Sequence, residues 1–282
     1  PYISIAGPVN MAGGQPISMA NIVEVKEYCK KHGIKMWLDA TRAVENAYFI
    51  KEREKGYEDK TIAQLLKEMC SHFEGIWVSA KKDLMVNIGG FLATRNKAVF
   101  EEARNLVVVY EGLHTYGGLA GRDLEAMGRG IEEMVVYDTI RARIGQVEYF
   151  GKRLMEYKVP IVLPIGGHAI FLDAKKFLPH VKQDQFPAQA LCNEIYMDSG
   201  VRAMERGIVS AGRNQKTGEH NHPKLELVRL TLPRRVYTQA HIDVATESIV
   251  EVFENRKNIK GLDMVYEPKY LRFFQARFEK LK

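Results

Sequence analysis

The chain has 282 residues, 46% hydrophobic, 27% charged and 10% aromatic, the make-up of an ordinary globular protein rather than a collagen-like, coiled-coil or disordered one. Its 41 Lys and Arg against 35 Asp and Glu give a net charge of +6, but the basic residues alternate with acids throughout, without a basic block or aromatic–basic interleaving, so nucleic acid is not an expected partner. No stretch approaches the roughly 18–20 uncharged apolar residues of a membrane helix, and the three scattered cysteines, Cys29, Cys70 and Cys192, form neither a disulfide framework nor a C-x-x-C metal knuckle.

A cytoplasmic protein with reduced thiols is expected, because no basic-then-apolar leader opens the chain. Pro1 is not an initiator and the apolar run behind it already reads as a strand, so the sequence is expected to be a fragment of a longer chain. Its length suggests two unequal domains, placed at 1–135 and 136–282.

Tyr2 to Ala6 reads as a buried strand, and Ser18 as the N-cap of a helix through Lys31 that Gly33 ends at C′. Ile34 to Leu38 is a second strand and delivers Asp39 at its carboxyl end. A helix over 40–55 follows, then a shorter one over 61–71 whose cap is assigned to Asp59. Gly75 to Ser79 is the third strand, ending in Ala80-Lys81-Lys82-Asp83, and Gly89 to Thr94 the fourth. This order predicts an open α/β sheet, parallel in its first strands. Helix is expected from Lys97 to about Val108, a loop over 112–121, and one long helix over 123–157. Beyond it, strands at 168–173, near 201–209 and at 226–232, with helices after Pro187 and over 238–256, suit a smaller α+β domain.

Asp39 and the Lys81-Lys82 pair both end strands, and in a parallel sheet they face one crevice, where such folds place their ligand chemistry. An acid beside the pyridine nitrogen of pyridoxal phosphate (PLP) keeps it protonated, and a lysine can hold its aldehyde as a Schiff base. Taken singly, Asp39 is equally a helix cap and the lysines surface charges. Arg42 stands one turn after Asp39, able to address the same ligand, or to be a surface arginine. Asn10 follows the first strand in the same layer as Asp39 and Ser79, and is as readily a turn residue.

Arg229 interrupts the apolar run Leu225 to Leu232, so its guanidinium needs an acid: a substrate carboxylate, or a core acid such as Glu205. Arg206 is open between a ligand contact and a surface ion pair. His220-Asn-His222 lies in a loop without further ligands, and no zinc site is expected. Phe273 and Phe274 read as core aromatics or as a pocket wall.

Longer strings then narrow the reading. Gly13 to Asn21, Asp39 to Phe49, Lys81 to Gly90, Tyr110 to Gly118, Asp184 to Gln189 and Arg229 to Thr238 resemble the β-eliminating lyases, within the fold-type I (aspartate aminotransferase-like) PLP enzymes. The resemblance covers nearly the whole chain. It implies a parallel-rich large domain with a smaller α+β domain, and PLP as cofactor. Lys82 is implied as the Schiff-base lysine and Cα base, Lys81 and Ser79 as neighbours of the cofactor phosphate, Asp39 as partner of the pyridine nitrogen, and Asn10 and Arg42 as contacts of the ring oxygen. Arg229 falls where the family binds the amino-acid carboxylate, the Asn87 carbonyl at a monovalent-cation (potassium) site, and Tyr116 near the cofactor at a subunit boundary of a homotetramer.

Within the family, Arg206 favours the branch that splits L-tyrosine into phenol, pyruvate and ammonia over the one that releases indole from tryptophan. A cation aimed at a phenolic oxygen suits tyrosine and is left unpaired against an indole ring. Met204, Phe273 and Phe274 are implied as walls of that aromatic pocket.

Overall fold

A computed structural model describes residues 2–11 and 13–282. The chain folds as two compact units, Pro1–Asn10 with Gln15–Ile144, and Met11–Gly14 with Gly145–Lys282.

The first unit is built on β1 (Tyr2–Ala6), α1 (Met19–Lys31), β2 (Lys35–Asp39), α2 (Ala43–Arg53), α3 (Ile62–Ser71), β3 (Gly75–Ser79), β4 (Gly90–Thr94), α4 (Lys97–Tyr110) and α5 (Gly121–Glu133), and on the start of α6 (Tyr137–Glu156). The four strands form one sheet in the order β1-β2-β3-β4. β1, β2 and β3 are parallel and β4 runs antiparallel, which gives the mixed, parallel-rich sheet. In β2, Met36 and Leu38 are buried while Lys35 is exposed, the alternation a pleated strand imposes. Ile22, Val44, Ala47, Phe49, Ile50, Leu65 and Met69 supply the helical side of the core.

Two ends of helices differ from the sequence expectation. α3 is capped by Thr61, not Asp59: Thr61 Oγ1 accepts from Gln64 N, and Gln64 Oε1 accepts from Thr61 N. This reciprocal box satisfies two terminal amides at once, which an acid two residues upstream does not. The long helix expected over 123–157 is two helices, α5 and α6, separated at 134–136.

The second unit carries the rest of α6, then β5 (Ala169–Asp173), α7 (Ala174–Phe177), α8 (Pro187–Ser199), β6 (Met204–Arg206), α9 (Ile208–Ala211), β7 (Leu227–Thr231), α10 (Gln239–Glu254), β8 (Leu262–Tyr266), α11 (Arg272–Gln275) and β9 (Arg277–Lys280). β5, β7 and β6 form an antiparallel sheet in that order. Val228 and Leu230 point from its middle strand into a core shared with Phe150, Leu154, Phe177, Leu191 and Ile249. The strand expected over 201–209 is only the three residues of β6. At Gly207 the chain turns into α9, because two buried acids take up the amides that a strand would have paired.

Among the described residues no helix is long and apolar enough to cross a membrane.

Candidate active site

The parallel register aligns Ala6, Asp39 and Trp77 across β1, β2 and β3, so Asp39 leaves the sheet at the carboxyl end of an interior strand. It is not the cap of α2. Its Oδ1 accepts from Thr41 N at 3.1 Å, an Asx-type turn, and α2 begins only after Arg42. Asp39 Oδ2 accepts from no other described residue. Thr41, itself buried, accepts from Ser79 N at 3.1 Å, which ties the ends of β2 and β3 together.

Lys82 is half-buried and donates from Nζ to Ser79 Oγ at 2.9 Å. The structure therefore brings Ser79 and Lys82 into contact at the end of β3, while the Lys81 side chain is exposed. Arg42 is partly buried and its Nε has no hydrogen-bond partner. Burial lowers the pKa of Arg42, while Glu45 and Asp83 act in the opposite direction. Asn10 lies in the turn after β1, Asn87 is exposed in the loop between β3 and β4, and Tyr116 is exposed in the loop between α4 and α5.

A buried network that the sequence did not single out surrounds these groups. Asp83 Oδ2 accepts from Val44 N at 3.0 Å, capping α2, and Asp83 Oδ1 accepts from Arg143 Nη1 at 3.1 Å. Arg143 also reaches Glu45 Oε2 at 3.4 Å, and Glu45 is fully buried. The loop that carries Lys82 is thus fastened to the helix that follows Asp39 and Arg42. A sequence signal was present in Lys81-Lys82-Asp83, where the acid stands next to the lysines.

These residues satisfy a simple fit test for PLP. A pyridine nitrogen needs an acceptor, which Asp39 Oδ2 offers; an aldehyde needs an amine, which Lys82 offers; and the buried Arg42 Nε is a donor without an acceptor, suited to a ring oxygen.

In the second unit, β-register places Phe171, Arg229 and Met204 directly opposite one another, and Arg206 opposite Leu227. Side chains that face across a sheet share a face, so Met204, Arg206 and Arg229 project from the same one. Arg229 Nη2 donates to Met204 Sδ at 3.1 Å. The core acid weighed as the partner of Arg229, Glu205, spends its carboxylate on Val209 N, Ser210 N and Ser210 Oγ.

Met204 and Arg229 line a cavity of about 430 Å³ with Gln189, Cys192, Phe273 and Phe274. The two phenylalanine rings lie 4.2 Å apart, centroid to centroid. Arg206 Nε is buried without a hydrogen-bond partner, and burial lowers the pKa of the guanidinium.

The two phenylalanines are held by a neighbouring residue with no distinguishing mark in the sequence. Arg272 is 5% exposed and donates to the carbonyls of Ile208, Val209 and Gly212, to His220 Nδ1 and to Glu267 Oε1. It pins α11 to α9. His222 pairs with Asp184 at 2.7 Å, so the two loop histidines have separate partners.

Residues 1–248 match the β-eliminating lyase family, to which this chain belongs. It is 64% identical over 279 residues to a tyrosine phenol-lyase of Nostoc punctiforme, covering 99% of this chain and 60% of that one. To the tyrosine phenol-lyase of Pasteurella multocida it is 61% identical, covering 99% and 61%. The chain therefore spans about three-fifths of the length of these relatives.

Among solved structures it resembles the threonine aldolase of Leishmania major, with a TM-score of 0.54 at 13% identity, covering 89% of this chain and 60% of that one. A serine palmitoyltransferase of S. paucimobilis with a bound PLP-myriocin aldimine gives a TM-score of 0.57 at 14% identity, covering 90% and 55%. Identities this low establish the shared fold.

Proposed function

We propose that this chain serves a PLP-dependent carbon–carbon lyase that converts L-tyrosine and water to phenol, pyruvate and ammonia. The observation that carries the choice of substrate is Arg206, a guanidinium with a buried, unpartnered Nε on the sheet face it shares with Arg229 and Met204. A phenolic oxygen would supply the missing acceptor; an indole ring offers none. The high identity to tyrosine phenol-lyases supports the same reading.

PLP, when bound, supplies an electron sink for the charge that develops at the substrate Cα. In this reading Lys82 Nζ holds the cofactor and carries the Cα proton, handed off through a side chain already oriented by Ser79. Asp39 holds the proton on the pyridine nitrogen, Arg42 and Asn10 fix the ring oxygen, and Ser79 and Lys81 neighbour the phosphate. Arg229 binds the substrate carboxylate, Arg206 orients the leaving phenol, and Met204, Phe273 and Phe274 wall the aromatic pocket; Tyr116 is assigned to the cofactor's surroundings at a subunit boundary. We assign residues 1–135 to the C-terminal portion of the PLP-binding large domain and residues 136–282 to the smaller α+β domain with its C-terminal tail. The Asn87 carbonyl is assigned to a potassium site, and the working protein is taken to be a cytoplasmic homotetramer.

The test is the visible absorption of PLP added to the purified protein, followed by assay of phenol and pyruvate after L-tyrosine is added. Protein-bound absorption that disappears in Lys82→Ala, with equimolar phenol and pyruvate from the unmodified protein, supports the proposal. Product from L-tryptophan alone would transfer the chain to the indole-releasing branch.

A further inference from the structure

Two acids converge beneath Arg206, and neither belongs to the roles assigned above. Glu205 is 6% exposed and Glu226 fully buried. Glu205 takes the amides of Val209 and Ser210 and the Ser210 hydroxyl, at 2.7–3.0 Å. Glu226 Oε1 takes the amide of Ile208 at 2.9 Å and Gln183 Nε2 at 2.7 Å.

Between them the two carboxyl groups absorb three consecutive amides at the start of α9, immediately after Arg206-Gly207. Gly207 is there for want of room. A Cβ on it would lie 2.0 Å from Glu226 Oε2 and 2.9 Å from Glu205 Oε1, so both oxygens crowd the same point. Glu226 Oε2 has no hydrogen-bond partner. A buried acceptor with no donor is costly, and the cost falls if that oxygen carries a proton of its own, which the neighbouring Glu205 carboxylate across Gly207 favours.

We propose that Glu226, sharing one proton with Glu205 across Gly207, is the positioning residue that fixes the Arg206 turn, and hence the aim of Arg206 at the leaving group. The inference rests on the reading of Arg206 given above. With one negative charge in the pair, the α9 amides and Ser210 satisfy it and Arg206 is left available to substrate. With two, the second charge has no donor at Oε2, and Arg206, the cation next in the chain to Glu205, is drawn to it.

Burial, opposed by the Gln183 hydrogen bond and reinforced by the Glu205 charge, pushes Glu226 up to about 7. Burial raises Glu205 as well, against its bonds from Ser210 and Val209. The other charged or titratable groups that bear on the pair are Lys175 of α7, which favours ionised Glu226, Arg206 itself, and the Cys192 thiol of α8, which burial and the Glu205 charge keep protonated.

The experiment compares kcat/KM for L-tyrosine with kcat/KM for β-chloro-L-alanine, whose chloride leaving group has no phenolic oxygen for Arg206. Both are measured from pH 6 to 8 in the PLP-loaded protein and in Glu226→Gln. Taking the ratio cancels the ionisations that the two substrates share. In the unmodified protein the ratio should fall about tenfold from pH 6 to pH 8, tracking the protonated fraction around a midpoint near 7. In Glu226→Gln, whose amide keeps the Ile208 contact and donates where the proton was, the ratio should stay flat.

Infrared spectroscopy of the cofactor-free protein gives a second readout. A protonated carboxyl stretch should be present at pH 6, absent in Glu226→Gln, and lost with the same midpoint as the kinetic ratio. A missing stretch at pH 6, or the same pH profile in both proteins, overturns the proposal. If the variant fails to fold, coincidence or divergence of the infrared and kinetic midpoints in the unmodified protein decides. If neither substrate is cleaved, the lyase reading itself fails, and the infrared result still tests the shared proton.

Discussion

Replacing Arg143 by Met probes the fastening of the Lys82 loop most directly. Arg143 reaches Asp83 at 3.1 Å and Glu45 at 3.4 Å, with the three side chains 11%, 2% and 0% exposed respectively. At an effective dielectric of about 20, each contact is worth about 5 kcal/mol of Coulomb energy before desolvation. Desolvation of the three groups returns most of that sum, but removing only the cation strips a close counter-charge from two buried acids, and the loss of stability should be about 3–5 kcal/mol.

Arg42 already feels the Glu45 and Asp83 charges and the opposing Arg143 charge, so in the variant the two acids pull on it unopposed by Arg143. It should be drawn from the position assigned to the cofactor oxygen. Urea unfolding followed by circular dichroism gives the first quantity, and equilibrium titration with PLP the second. Asp83→Asn is the internal control, since an asparagine Oδ1 can still accept from Val44 N and keep α2 capped. A loss below about 1 kcal/mol in Arg143→Met, the value of an exposed ion pair, together with unchanged PLP affinity, would refute the reasoning.

Three further outcomes follow from other parts of the structure. Thr61→Ala removes one half of the capping box on α3 and should cost about 1 kcal/mol by chemical denaturation, whereas Asp59→Ala should be close to neutral. Gly130→Ala in α5 should cost about 1–3 kcal/mol in the same assay, because a Cβ there would lie 2.2 Å from the Leu84 carbonyl oxygen; a neutral result would mean that this contact is looser than described. Glu226 titrates at about 7 when folded against 4.5 in the unfolded chain, so the folded state holds the extra proton between those values. Its contribution to stability is fully present below pH 4.5 and is lost as pH rises through 7, a loss of up to about 3 kcal/mol. Denaturation of Glu226→Gln should lack this decline, and a parallel decline in both proteins would assign it to another group.

The strands that matter for the site were legible in the sequence because each is a short apolar run closed by a polar residue. β2 ending in Asp39 and β3 ending in Ser79 fall where that pattern put them. Arg229 was legible for the converse reason, a charge inside an apolar run. Glu226 stands in the same run and passed unnoticed, since nothing local tells which of two charges in a strand meets a partner. Asp83 and Arg143 are 60 residues apart, and no periodicity encodes a pairing at that separation. The break at 134–136 was missed because the apolar spacing continues across it. The cap of α3 was displaced to Asp59 because Asp and Thr are both good caps, and only the reciprocal Gln64 bond marks Thr61.

The hub at Arg272 also sets an order of events during synthesis. The carbonyls of Ile208, Val209 and Gly212 that it binds lie 64, 63 and 60 residues upstream. At translation rates of about 5–20 residues per second, those carbonyls are made about 3–13 s before their donor. Phe273 and Phe274 arrive with it. Through that interval β6, Arg206 and the start of α9 can form, but the pair of aromatic rings cannot, so the nascent chain holds Arg206 in place before the cavity beside Met204 and Arg229 has its phenylalanine wall. A ribosome stalled anywhere in those sixty codons would leave a chain with an open pocket and three stranded carbonyls, an early target for chaperones and proteases.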